Sequence, residues 1–279
     1  MNQFGKEWHH DGLQFIGLSL AGIRTTIALP SFSVAFDVAQ GFPFLFNLNH
    51  FFISHGHLDH AAGIPYIISQ KSMAGLKPPF FYMPESMVEP LNRVMKAWAE
   101  IEKYEYPHHF IGIRGDETLE INKNHFVRPF KTFHRIDSFG YTIFHTKTKL
   151  KPEMAKLSQD ELRKVRESGT EIIHHIETPL VSFTGDTQIE FLESAPWIRK
   201  SKILFLESTY LDNDKTVESA RAWGHTHLDE IIPILPTLEC EKIVLIHSSA
   251  RYTVDQARNI LLQRIPAKFQ EQVVLFPGR

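Results

Sequence analysis

Short apolar runs recur along the chain: QFIGLSL, TTIALP, VAFDVA, FFIS, FFYM, HFVRPFKTF, GYTIFHT, LVSFT, KILFLES and KIVLIH. Each is rich in Phe, Val, Ile or Leu and is bounded by turn-forming residues, which predicts β-strands. Helical spacing is found between them. Pro84-Glu85-Ser86 opens a run through Ile101 with apolar residues near a 3.6 period. Ser158-Gln159-Asp160-Glu161 reads as a capping box for a short charged helix that ends before Gly169. Residues 227–238 predict a further helix, bent around its prolines. Strands in two groups with helices interspersed predict a layered α/β fold. No repeat, low-complexity tract or Pro/Gly/Ser linker divides the sequence, so one domain is expected over residues 1–279.

Composition narrows the function classes. An apolar fraction of 43% with 12% aromatic residues supports a substantial core. The formal charge of −2 gives no global basic field for nucleic acid, so any polyanion must meet a local patch. Cys240 is the only cysteine, which excludes an internal disulfide and a multi-cysteine zinc site. It is expected to be a small buried apolar residue. The N-terminal residues lack the basic and apolar regions of a signal peptide, and no apolar run approaches about 20 residues. A cytoplasmic location without membrane contact is therefore expected. The unusual count is 16 histidines.

The densest group is His55-Gly56-His57-Leu58-Asp59-His60, directly after the strand-like Phe51 to Ser54. Imidazoles and a carboxylate at this density each need a hydrogen-bond partner or a cation. Two histidines two positions apart share one side of an extended segment and can grip one metal, while Asp59 and His60 can reach a second. Three further apolar runs end in metal-compatible side chains: FKTFH at His134, VSFTGD at Asp186, and KIVLIH at His247. Open α/β folds gather sites at the carboxyl ends of strands, and these four ends are expected to converge. The pairs His9-His10, His108-His109 and His174-His175 have no such setting and are expected in exposed loops.

Together, the His-x-His-x-Asp-His motif, the later His, Gly185-Asp186-Thr187 and the final His resemble the metallo-β-lactamase superfamily, from VAFD at Asp37 to LIHSSARYT. The resemblance implies a four-layer αββα sandwich around two divalent metal ions, zinc above all, with manganese or iron as alternatives. It implies that His55, His57 and His134 hold one ion, that Asp59, His60 and His247 hold the other, and that Asp186 bridges. Asp37 matches a structural aspartate beside the site. Within the superfamily, LESTYLD at 206–212, GHTH at 224–227, HSSARYT at 247–253 and HLDHAAGIP are similar to the tRNase Z (ribonuclease Z) family. Two departures stand out. IGLSLAGIRTTIALP replaces the N-terminal Gly-Thr-x-x-Gly-x-Pro motif, and TKTKLKPEMAKLSQDELRKVRESG replaces the Gly-Pro-rich arm. Both resemble the short plant-type members.

The resemblance implies an endoribonuclease that cleaves precursor tRNA at its 3′ end, by attack of a two-metal-activated hydroxide on phosphorus. The products are tRNA with a 3′ hydroxyl and a trailer with a 5′ phosphate. Asp59 would orient the nucleophile as well as ligate. His225, held by Glu207, is the candidate general acid, and His227 competes for that role. Between His134 and Asp186 an arm-like stretch around 145–175 carries Lys147, Lys149, Lys151, Lys156, Arg163, Lys164 and Arg166 against Glu153, Asp160 and Glu161. That excess suits phosphate contacts. Arg251 and Tyr252 are further candidates for a phosphate or base. In the family the arm serves the neighbouring subunit, which implies a homodimer. The alternative is a small-substrate hydrolase of the same scaffold: a phosphodiesterase, arylsulfatase or lactonase.

Overall fold

The computed structural model describes residues 5–154 and 157–276. Its strands form two seven-stranded sheets. The first runs β1 (Lys6–His10), β2 (Leu13–Leu20), β3 (Arg24–Leu29), β4 (Val34–Phe36), β5 (His50–Phe52), β6 (Phe80–Pro84) and β7 (His109–Ile113), in that order across the sheet. The second comprises β8 (Leu119–Asn122), β9 (His125–Lys131), β10 (Phe139–Leu150), β11 (Ile173–Phe183), β12 (Ile203–Glu207), β13 (Lys242–Ile246) and β14 (Val273–Leu275), again in sequence order across the sheet. Each sheet is antiparallel over one half and parallel over the other: β4 to β7 and β11 to β14 are parallel. Helices α1 (Leu58–Ala61), α2 (Ile64–Met73), α3 (Glu85–Glu102), α4 (Gln159–Glu167), α5 (Phe191–Ser194), α6 (Val217–Ala222), α7 (Leu228–Ile231) and α8 (Val254–Arg264) connect them.

The continuous apolar runs follow from burial on both faces of the parallel strands. In β12, Ile203 and Phe205 face the other sheet, beside Phe36, Phe52, Tyr141 and Phe183. Leu204 and Leu206 face outward onto Phe191, Leu228, Ile231 and Leu261 of the helical layer. On the other side, Phe51 and Phe81 meet Ile64, Ile67 and Ile68 of α2 and Met95 of α3. Period-two alternation thus divides three buried clusters among four layers, the expected αββα sandwich.

Several expectations meet their elements. The run from Glu85 becomes α3, and Ser158 caps α4 with the reciprocal Glu161 contact. Cys240 is buried. The stretch 227–238 keeps only one α-turn, α7, and continues as a 3₁₀ segment, Ile232–Thr237, because Pro233 and Pro236 lack N–H donors. The expectation of loop positions for the histidine pairs is corrected. His9-His10 lie in β1, His109 opens β7, and His174-His175 lie in β11, where cross-strand pairing recruited segments without an apolar run. β8 and β14 and helices α2 and α8 likewise had no clear local signal.

The stretch 145–175 is the outer half of the β10–β11 ribbon, closed by a short 3₁₀ turn and α4. Lys156 lies outside the described residues. No helix among the described residues is long and apolar enough to cross a membrane.

Candidate metal centre

The site lies where strands stop. β5 ends three residues before His55, β9 three before His134, β11 three before Asp186, and β13 one before His247. Two tight approaches bring these ends together. Gly185 takes φ +59°, and a Cβ there would lie 2.5 Å from the Ser54 Cβ. Gly224 takes φ +76°, and a Cβ there would lie 2.7 Å from His134 Nδ1. Neither place accepts a side chain without displacement. Asp37 (φ 51°) and His247 (φ 59°) themselves occupy the left-handed region without being glycine, a local cost typical of functional sites.

Four donors face one point. His60 Nε2, His247 Nε2, Asp59 Oδ2 and Asp186 Oδ1 are separated by 3.3–3.5 Å in the contacts that join them. A second group lies beside it: His57 Nδ1 is 3.0 Å from His55 Nε2 and 3.2 Å from His134 Nε2, and His55 Nε2 is 3.7 Å from Asp186 Oδ2. A tetrahedral shell at roughly 2.0–2.1 Å from zinc has edges of about 3.3 Å, so both groups have the dimensions of a coordination shell. Asp186 contributes one oxygen to each group. Its Oδ1 is buried and has no hydrogen-bond partner, an orphan that a cation would satisfy. The His/Asp clusters therefore fit a dinuclear metal site.

The far sides of four of the five rings are already committed. His55 Nδ1 lies 2.9 Å from Ser54 Oγ, which donates to Asp37 Oδ2. His60 Nδ1 donates to Asp37 Oδ2 at 2.7 Å, and His134 Nδ1 donates to the Gly224 carbonyl at 2.8 Å. His247 Nδ1 lies 3.1 Å from Thr209 Oγ1, which donates to Glu207 Oε2 at 3.0 Å. Such partners fix the tautomer and leave the other nitrogen free to ligate. Asp37 is thus a buried orienting group beside the cage. Burial holds His55, His57 and His134 below the usual imidazole range, so they are neutral as metal ligands must be. His60 is the exception: burial opposes its charge, but the Asp186 and Asp37 carboxylates push it well above the ordinary value. A cation at its Nε2 would displace that proton.

His225 packs beside these rings, its centroid 5.3 Å from that of His134 and 5.2 Å from that of His247. Its Nδ1 donates to Glu207 Oε1 at 3.0 Å and lies 3.9 Å from Asp186 Oδ2. Burial works against its charge, yet the Glu207 carboxylate raises it to about 9. Glu207 is fully buried and is itself held by the Thr187 and Thr209 backbone N–H groups. The site therefore combines three imidazoles held neutral by burial, His55, His57 and His134, with two raised by carboxylates, His60 inside the cage and His225 at its rim.

A family model described as "Beta-lactamase superfamily domain" matches residues 35–248. tRNase Z TRZ1 of Arabidopsis thaliana is 38% identical over 88% of this chain and 89% of its own length. This chain belongs to the tRNase Z family of the β-lactamase superfamily. The chloroplastic tRNase Z TRZ2 of Arabidopsis thaliana is 31% identical over 92% of this chain and 73% of its own. Among solved structures, human tRNase Z, short form, superposes with a TM-score of 0.60 at 17% identity, covering 94% of this chain and 95% of that one. The metallo-β-lactamase fold protein YhfI of Bacillus subtilis superposes with a TM-score of 0.64 at 15% identity, covering 95% and 97%. Both likenesses report the shared fold.

In this tRNase Z family member, the other sequence candidates fall in different places. His227 is buried, and both ring nitrogens are used: Nδ1 accepts from the Asp229 N–H as the cap of α7, and Nε2 donates to the Asp212 carbonyl. Tyr252, a candidate substrate contact, is instead 6% exposed. Its hydroxyl donates to Asp212 Oδ1 and accepts from the Leu211 N–H. It packs because the bend after β13 turns its ring inward against the Leu211 cluster. Arg251 is exposed, with its guanidinium over the Tyr210 ring at 5.3 Å.

Lys147, Lys149 and Lys164 are exposed, Lys151 pairs with Glu171 at 3.3 Å, and Arg163 pairs with Glu167 at 2.9 Å. None of these arm residues lies near the centre. The Leu150–Ile173 pair sits ten residues along β11 from Phe183, about 33 Å at the usual strand rise. Reading the sequence missed Thr209, Ser54 and the Gly224 carbonyl as ring partners, because a side chain that contacts only a ligand carries no spacing signal.

Proposed function

We propose that this chain is a metal-dependent endoribonuclease that removes the 3′ trailer of precursor tRNA. The observation that carries the reading is the pairing of a two-group donor cage, bridged by Asp186, with the Glu207-held His225 at its rim. His55, His57 and His134 would hold one cation, Asp59, His60 and His247 the other, and Asp186 both. Zinc suits these donors best, while manganese and iron accept the same set. Bound divalent cations supply Lewis acidity, which acidifies water near neutral pH and neutralises charge on phosphoryl oxygens.

The chain's own residues do the rest. Asp59 orients the attacking water. His225 gives its proton to the departing 3′ oxygen, and Glu207 keeps that imidazole charged and aimed. No 2′ hydroxyl takes part, so the tRNA retains a 3′ hydroxyl and the trailer leaves with a 5′ phosphate.

The outer ribbon is the arm for the tRNA body. Lys147 and Lys149 alternate onto one face, opposite Ile176 and His174, and their distance from the centre suits contacts remote from the cut. Arg251 contacts phosphate nearer the site. The working unit is a homodimer. Val94, Trp98 and Ile101, 44%, 45% and 68% exposed at i, i+4 and i+7 on α3, support an apolar surface for a second copy. The compartment is the cytoplasm, in keeping with a lone buried cysteine.

The test incubates the zinc-loaded protein with a precursor tRNA and, separately, with bis-p-nitrophenyl phosphate. Release of one trailer with a 5′ phosphate, abolished by chelation and restored by zinc or manganese, is expected. Hydrolysis of the small diester alone would overturn the tRNA reading in favour of a small-substrate hydrolase.

A further inference from the structure

Two loops clasp each other at one rim of the centre. His134 donates to the Gly224 carbonyl, and the missing Cβ of Gly224 lets the Arg135 backbone and stem lie against it, 3.1 Å and 3.3 Å from where that Cβ would stand. This contact carries the Arg135 guanidinium over the Trp223 indole, 4.8 Å from the ring centroid. Trp223 is nevertheless 57% exposed. A cavity of about 490 Å³ opens there, lined among others by Phe133, His134, Arg135, Ile136, Arg221 and Gly224. The neighbouring cations are neutralised: Lys131 bonds Asp137, and Arg221 bonds Glu190 and Glu230. Arg135 makes no ion pair among the described residues.

We propose that Arg135 and Trp223 form a stacking platform for one nucleobase, that of the nucleotide which keeps its 3′ hydroxyl after cleavage. The inference rests on the tRNA-trailer reading above. Bases stack on indole faces and guanidinium planes, and an uncompensated guanidinium adds attraction for the adjoining phosphate. The side of the cut follows from the connectivity. Trp223 is two residues from His225, which protonates the departing 3′ oxygen, and that oxygen belongs to the last nucleotide of the tRNA body. Arg135 directly follows His134. The platform is therefore tied through the backbone to both the cage and the acid, on the leaving-group side. Stacking reads a flat face rather than a donor pattern, so any of the four bases is accepted.

The test uses zinc-loaded enzyme and three precursor tRNAs: intact, abasic at the last retained nucleotide, and abasic at the first trailer nucleotide. The parent is expected to lose about tenfold in kcat/KM when the last retained base is absent. Trp223→Ala is expected to lose about as much on the intact substrate and nothing further on that abasic one, with Trp223→Phe restoring most of the loss. The first-trailer abasic penalty, whatever its size, stays the same in Trp223→Ala. Arg135→Gln is expected to behave like Trp223→Ala, and metal content and melting temperature check both variants. If the retained-base penalty persists undiminished in both variants, or is absent in the parent, the platform is overturned while the nuclease reading stands. If the metal-loaded parent cleaves no precursor tRNA at all, both fall.

Discussion

His225 Nδ1 lies 3.0 Å from Glu207 Oε1, whereas His227, two residues on, spends both ring nitrogens on backbone groups. The two histidines therefore separate in experiment. His225→Ala is expected to keep both metals and lose roughly 10²–10⁴-fold in cleavage rate. His227→Ala is expected to keep cleavage within a few-fold and lose about 0.5–2 kcal/mol of stability with the α7 cap. Metal analysis, single-turnover kinetics and thermal melts read the difference. A His225→Ala protein that cleaves at the parental rate would remove the assigned acid.

Thr209 Oγ1 links the Glu207 carboxylate to the imidazole of His247. Thr209→Val keeps the shape and removes that link, so the His247 tautomer is no longer enforced. Affinity for one of the two cations is expected to fall about 10–100-fold. Competition against a chromogenic chelator measures it, and unchanged affinity for both ions would show that His247 needs no such partner.

Gly224 combines a left-handed backbone with close contact to His134. In Gly224→Ala the methyl would have to displace the ring or shift the loop, and an L-residue in this conformation costs roughly 1–2 kcal/mol. Loss of one metal equivalent per chain, with a lowered melting temperature, is the expected outcome by elemental analysis. Retention of two equivalents at parental affinity would mean that the two loops can part without cost.

The arm makes a prediction in salt. Lys147→Ala and Lys149→Ala are each expected to weaken precursor-tRNA binding and to flatten the dependence of log Kd on log salt by about one. A slope unchanged in the double variant would place the substrate's phosphates elsewhere on the molecule.

Much of the centre could be read directly from residue types. The motif His55 to His60, and His134, Asp186 and His247 behind their apolar runs, are local facts, because a strand lead-in and a metal-compatible side chain lie next to each other in the chain. The four-layer arrangement followed from family resemblance, since apolar runs buried on both faces do not reveal which face meets which sheet. Strands β1, β7 and β8 were not legible at all. Their residues are mostly half-buried or exposed, and pairing with a neighbour rather than their own pattern makes them strands.

By itself the sequence determined which metal-compatible side chains this protein carries just past its strand ends. Only the tertiary structure decided how those side chains are held and which similar ones are excluded. His134 is set by a carbonyl 90 residues away and His247 by a hydroxyl 38 residues away, while His227 and Tyr252 are turned into the interior. The reason is physical: ligand identity is a property of one residue, whereas orientation depends on hydrogen bonds between segments that meet only when the two sheets pack.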